Sequence, residues 1–92
     1  LAAAIQGQGN FNIGTATKSE ADKLGMIWVG DGARETSGGG WLSRDGTRQY
    51  RPPSNKRSLY ATTGVQANFE TFEINPITGM KTLIKNGHLN IK

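Results

Sequence analysis

VQANFETFEINPITGMKTLIKNGHLNIK, residues 65–92, carries the alternation from which the fold class is read. Val65, Ala67 and Phe69 alternate with Gln66, Asn68 and Glu70. A period of two puts the first set on one side of a strand and the second on the other. Residues 65–74 therefore read as the longest strand. Asn75-Pro76-Ile77-Thr78-Gly79 is a turn. MKTLIK and HLNIK read as two more arms around Asn86-Gly87, the dipeptide best suited to a type I′ turn. If Leu89 and Ile91 face the core, then His88, Asn90 and Lys92 face away.

Upstream, WLSR-DG-TRQYR gives a hairpin signal, with Asp45-Gly46 between two β-prone arms. Pro52-Pro53 should end the second arm, because proline cannot donate to a ladder. SNKRSLYATTG connects it to the long strand. Earlier still, Ser19–Trp28 reads as a short amphipathic helix. Ser19 is its expected N-cap, and Glu20 and Asp22 lie in the first turn, where the dipole favours acids. Ala21, Leu24 and Trp28 form its apolar stripe. Gly25 weakens it by about 1 kcal/mol relative to Ala, and Gly30 or Gly32 ends it. GDGARETSGGG reads as a mobile loop, since it matches no phosphate-binding fingerprint. Residues 1–16 read as a linker or first short helix, with FNI as a short extended piece. The expectation is an α+β domain: one or two short N-terminal helices packed on a twisted antiparallel sheet of four to five strands.

Ninety-two residues with 35% hydrophobic content make one domain with a modest core. The absence of cysteine excludes disulfides and Cys-ligated zinc. A single histidine excludes multi-His metal sites. A carboxylate-only magnesium site is open in principle, but seven acids show no tight cluster. The expectation is that no metal and no cofactor take part. No stretch is long enough to span a membrane. LAAAIQGQG lacks the basic start of a signal peptide, and without an initiator Met the chain reads as a piece of a longer polypeptide.

The charge is concentrated. Arg44–Arg57, RDGTRQYRPPSNKR, holds five of the eleven basic residues against one acid. Such a block attracts polyanions, of which nucleic acid is the obvious one. A polar row of Gln66, Asn68, Glu70 and His88 opposite the helix, beside Arg51 and Lys56, suits RNA cleavage without a metal. The ribose 2′-hydroxyl needs a base, the leaving 5′-oxygen an acid, and the phosphoryl oxygens fixed positive charge. His88 can be acid or base near neutral pH. Glu70 is the other member or orients the imidazole. Arg51 and Lys56 supply charge. Arg44, Arg48 and the Thr63 hydroxyl are candidate phosphate contacts, with Gln66 and Asn68 beside them. Tyr50 and Trp41 are candidate stacking platforms for unpaired bases, whereas Trp28 and Phe69 read as core. The blander readings are a turn histidine and a Glu70 paired across the sheet with Arg48 or Arg51.

GMIWVGDGARETSGGGWLSRDGTRQYRPPS, then VQANFE, then the terminal NGHLNIK, resembles the C-terminal toxin domains of bacterial polymorphic toxins. These include contact-dependent growth-inhibition proteins and filamentous-haemagglutinin-like exoproteins. The resemblance runs from about Gly9 to Lys92. It implies a linker or short helix over 1–16 and a ribonuclease toxin domain over 17–92, with the fold shared by barnase, EndoU, colicin-type tRNases and RelE-type toxins. It implies a tRNA substrate cut near the anticodon. It also implies delivery from the C-terminus of a large surface protein into the cytoplasm of a target bacterium, and a cognate immunity protein. The basic face suggests that this partner is acidic. Apart from that complex, a monomer is expected. The matching positions are Tyr50, Arg51, Pro52, Pro53, Lys56, Gln66, Asn68, Glu70 and His88; which of them carry chemistry stays open. A DNA-cleaving toxin, a non-catalytic nucleic-acid-binding module and a glycan-binding adhesin domain are the competing classes.

Overall fold

The computed structural model describes residues 2–55 and 64–92. Among these, two helices and six strands follow in the order α1 (Ala2–Gln6), β1 (Gly9–Ala16), α2 (Lys18–Val29), β2 (Arg34–Glu35), β3 (Trp41–Leu42), β4 (Arg48–Asn55), β5 (Val65–Ile74) and β6 (Lys81–Ile91). All six strands join one sheet in the order β1-β6-β5-β4-β3-β2. The α+β class holds. The sheet has six strands rather than four or five, and it is mixed, because β1 runs parallel to β6. No helix among the described residues is long and apolar enough to cross a membrane.

The extra strand comes from the segment read as a linker. Phe11 and Ile13 alternate with the exposed Asn12 and Gly14, and β1 pairs with β6 from Gly9↔Lys85 to Ala16↔Ile91. The strand ends at Ala16, just before the N-cap of α2, and residues 9–16 belong to the sheet. Only Ala2–Gln6 meets the expectation of a short helix.

Two turn signals in the sequence turn out to be strand interior. Asn86-Gly87 lies within β6, and neither residue has the positive φ that a type I′ turn needs. Gly87 pairs with Phe69 on one side and Phe11 on the other. A β-carbon there would press on Ile13 Cγ2 at 3.2 Å, so this glycine makes room for β1. Pro52-Pro53 does not end β4. The ladder to β5 steps from Arg51↔Asn68 to Ser54↔Gln66, a bulge that passes over both prolines.

Helix α2 starts earlier than its serine suggests. Thr17 is the N-cap: its hydroxyl accepts from the Glu20 N–H, and its own N–H donates to the Glu20 carboxylate. Those bonds hold the Glu20 carboxyl below its ordinary range. Gly30, with φ 73°, closes the helix as expected. The buried face of α2 presents Ala21, Gly25, Trp28 and Val29 to the sheet. There it meets Tyr50, Ala67, Phe69 and Leu89, the apolar side of β4, β5 and β6. Trp28 and Phe69 pack edge to face at 6.0 Å, and Tyr50 packs on Phe69 at 5.2 Å. Each buried aromatic contributes roughly 1.5–3 kcal/mol. The Trp28 indole N–H donates to the Glu70 carbonyl, which ties the helix to the central strand.

The Asp45-Gly46 hairpin is present, with a five-residue connection in place of two. Gly46 N–H donates to the Ser43 carbonyl, and Gly46 takes φ 76°. Asp45 Oδ1 accepts from the Thr47 N–H, the Thr47 hydroxyl and the Ser43 hydroxyl. These bonds hold the Asp45 carboxyl down at about 2, against an ordinary 3.8. A depressed carboxyl adds stability above its unfolded value and loses it as the pH falls toward the folded one. Unfolding measured against pH should show wild type losing stability between about pH 4 and 2. Asp45→Asn should be flatter across that window.

Candidate active site on the polar face of the sheet

The side of β5 turned away from α2 carries Gln66, Asn68 and Glu70, as the alternation requires. Three rows cross the sheet there. Arg51, Asn68, His88 and Asn12 are successive partners from β4 to β1. Gln49, Glu70, Asn86 and Asn10 form the next row, and Ser54, Gln66, Asn90 and Thr15 the third. The sequence-derived set of Arg51, Gln66, Asn68, Glu70 and His88 thus shares one face.

The row is less open than the sequence suggests. Gln66, Asn68, Glu70, His88 and Asn90 are all buried. Buried polar groups require partners, and here they are mostly amides. His88 Nε2 lies 3.0 Å from Asn10 Oδ1. His88 Nδ1 lies 2.9 Å from Gln66 Oε1 and 3.1 Å from Asn68 Nδ2. One ring nitrogen therefore faces both an acceptor and a donor. Neutral imidazole accepts from Asn68 at Nδ1 while Nε2–H donates to Asn10. The imidazolium donates to Gln66 from Nδ1 and still donates to Asn10. Each protonation state finds protein partners, and both ring nitrogens are engaged by them.

Asn68 Nδ2 also donates to Asn86 Oδ1 at 3.0 Å, whereas Asn68 Oδ1 is buried with no hydrogen-bond partner among the described residues. Gln49 Nε2 donates to Glu70 Oε1 at 2.9 Å. Arg51 Nη1 stands 3.8 Å from Glu70 Oε2. That is an ion pair too long for a hydrogen bond. The Arg51 side chain is 46% exposed and that of Glu70 only 5%. About half of the Arg51 side chain is thus open to solvent.

The other candidates separate. Tyr50 is 1% exposed, and its hydroxyl donates to Asp22 at 2.9 Å. Burial and that carboxylate push its phenol well above the ordinary range. It is core, with no ring face left for a base. Arg48 lies on the helix side, 4.2 Å over the Trp28 ring. Arg44 lines the same helix-side cleft with Ile27 and Trp28. Neither joins His88: β4 alternates and sends Arg48 and Tyr50 away from Gln49 and Arg51, and Arg44 lies in the connection before β4. Trp41 is half-buried against the core cluster. Lys56 and Thr63 lie outside the described residues. No three His, Asp or Glu side chains among the described residues converge to hold a metal ion.

Three contributors escaped sequence reading: Asn10, Gln49 and Asn86. The signal for Asn10 was there in GNFNIG, whose alternation marks a strand. Asn86 was hidden by its own turn propensity.

Comparison with family models, with curated proteins and with solved structures gives no match.

Proposed function

We propose that this domain is a metal-independent endoribonuclease with the barnase-like architecture named above, and that it acts as an antibacterial toxin on tRNA at or near the anticodon loop. The observation that carries the reading is the row Arg51–Asn68–His88, with Glu70 one step along on the same face. A half-exposed arginine, a histidine and a carboxylate on one face are the residue types that 2′-hydroxyl attack calls on. Arg51 binds the phosphoryl oxygens and stabilises charge as the P–O5′ bond breaks. His88 and Glu70 divide the proton transfers: one accepts the 2′-hydroxyl proton, the other delivers a proton to the departing 5′-oxygen. The products are a 2′,3′-cyclic phosphate and a free 5′-hydroxyl. Lys56 remains a candidate second cation. The polymorphic-toxin resemblance supplies the tRNA substrate, delivery from a surface protein and an acidic immunity partner.

One observation favours a second reading. His88 is 7% exposed and ringed by amides, the pattern of a structural histidine. A non-catalytic nucleic-acid-binding module would keep that network for rigidity alone.

End chemistry separates the two. Digestion of a tRNA transcript should leave cyclic phosphate ends, and a 2′-deoxy substitution at the cut position should stop that cut. Arg51→Ala should slow cleavage by about 10²–10³-fold. Arg51→Lys should not restore it, because an ammonium lacks the fork. Cleavage that survives 2′-deoxy substitution contradicts the mechanism.

A further inference from the structure

A second concavity adjoins this site. The run Thr36–Gly40, read from sequence as a mobile loop, is a hydrogen-bonded hairpin end. Thr36 N–H donates to the Gly40 carbonyl, Gly39 N–H to the Thr36 carbonyl and Gly40 N–H to the Thr36 hydroxyl. Gly40 is buried close to β4, where a β-carbon would come 2.8 Å from the Tyr50 carbonyl. The turn is thereby fixed against β4. Between them lies a cleft of about 500 Å³, bounded on the β4 side by Gln49, Arg51, Pro52, Pro53 and Ser54.

We propose that this cleft takes the base of an unpaired nucleotide whose phosphate is held by Arg51, an inference that rests on the ribonuclease reading and assigns its base subsite. The volume lies within the range of small-ligand pockets. Its composition suits a nucleobase. The bulge turns two half-buried proline rings into an apolar wall. Gly38 and Gly39 leave the facing wall open for close approach. The Ser37 and Ser54 hydroxyls and the Gln49 amide oxygen, whose nitrogen is held by Glu70, supply the few donors and acceptors that read a base edge. Arg51 borders both the cleft and the catalytic row. His88 lies two strands away, about 10 Å between Cα positions at ordinary strand spacing. One nucleotide can therefore place its base in the cleft, its phosphate on Arg51 and its ribose toward His88. A paired base cannot enter, because its edge and faces are already stacked and bonded. The substrate class is thus single-stranded or loop RNA. The bulged Pro52-Pro53 acquires a role here: it shapes the wall and sets Arg51 at its rim.

The test is an NMR titration of the ¹⁵N-labelled chain with each of the four nucleoside 3′-monophosphates and, separately, with inorganic phosphate. At least one nucleotide should shift the Gly38, Gly39, Gly40 and Ser54 amides together with the Arg51 side chain. Phosphate should shift Arg51 and leave the glycines unmoved. Gly38→Leu should weaken nucleotide binding about tenfold, or 1.4 kcal/mol, with the phosphate response unchanged. Gly38 has an ordinary φ and open space around a β-carbon, so this variant should fold. If it does not, the wild-type titration decides alone. Nucleotides that move Arg51 but not the glycines, or that move only the Arg44–Arg48 cleft, overturn the inference. RNA cleavage is measured in parallel. Cleft shifts without cleavage remove the ribonuclease reading and leave a nucleotide site. Cleavage with a silent cleft removes this inference and leaves the ribonuclease.

Discussion

His88→Ala should lower the rate of RNA cleavage by about 10²–10⁴-fold, the usual contribution of a positioned acid or base. The substitution also removes a partner from Asn10, Gln66 and Asn68, all of which bond the ring. Stranded buried amides cost about 1–3 kcal/mol each, so a drop in stability alone says nothing about chemistry. Two further readouts separate the roles. RNA affinity of the folded variant should persist, because Arg51 and the neighbouring cleft are untouched. His88→Gln, which can still donate and accept, should recover part of the stability and none of the rate. A structural histidine predicts the reverse: Gln restores activity along with the fold. The wild-type pH–rate profile should show a limb that His88→Gln lacks. Stability from urea unfolding, measured beside the kinetics, completes the comparison.

Gly25→Ala should destabilise the domain by about 1–3 kcal/mol, the range for overpacking a filled core. Helix propensity alone predicts the opposite sign, a gain of about 1 kcal/mol. Packing wins because a β-carbon on Gly25 runs into the Tyr50 ring near its base. That ring cannot swing aside freely. Its hydroxyl is bonded to Asp22, and its face rests on Phe69. For a domain of this size, 2 kcal/mol corresponds to a fall of roughly 10 °C in Tm. Gly38→Ala, at an open position with ordinary φ, serves as the control and should be neutral or slightly stabilising. A Gly25→Ala protein with a raised Tm would mean that α2 and β4 are not in close contact.

Gly25 also shows why part of the fold was legible in the sequence and part was not. Local patterning placed α2 within a residue or two at each end, and it placed β5 and the turn after it. It also predicted that Gln66, Asn68, Glu70 and His88 would share a face, because a period of two is geometry. What patterning cannot carry is information about neighbours. Gly25 read as a flaw in a helix, yet it is the socket for a tyrosine 25 positions later. Asn86-Gly87 read as a turn, yet the glycine admits the side chains of β1, whose pairing is with the other end of the chain. Pro52-Pro53 read as a stop, and a bulge accommodates both rings. Arg44, Arg48 and Arg51 read as one basic block. Strand alternation divides it, placing Arg48 on Trp28 and Arg51 beside Glu70. Charge density along a sequence locates a polyanion-binding region, but only the pleat determines which cations face the chemistry.

The first experiment is incubation of the purified domain with total bacterial RNA in EDTA, beside His88→Gln and a DNA control. Wild type should release discrete fragments of tRNA size while the DNA and the His88→Gln digest stay intact. Intact RNA after treatment with correctly folded wild type, or equal fragments from His88→Gln, would contradict a ribonuclease built on this sheet face.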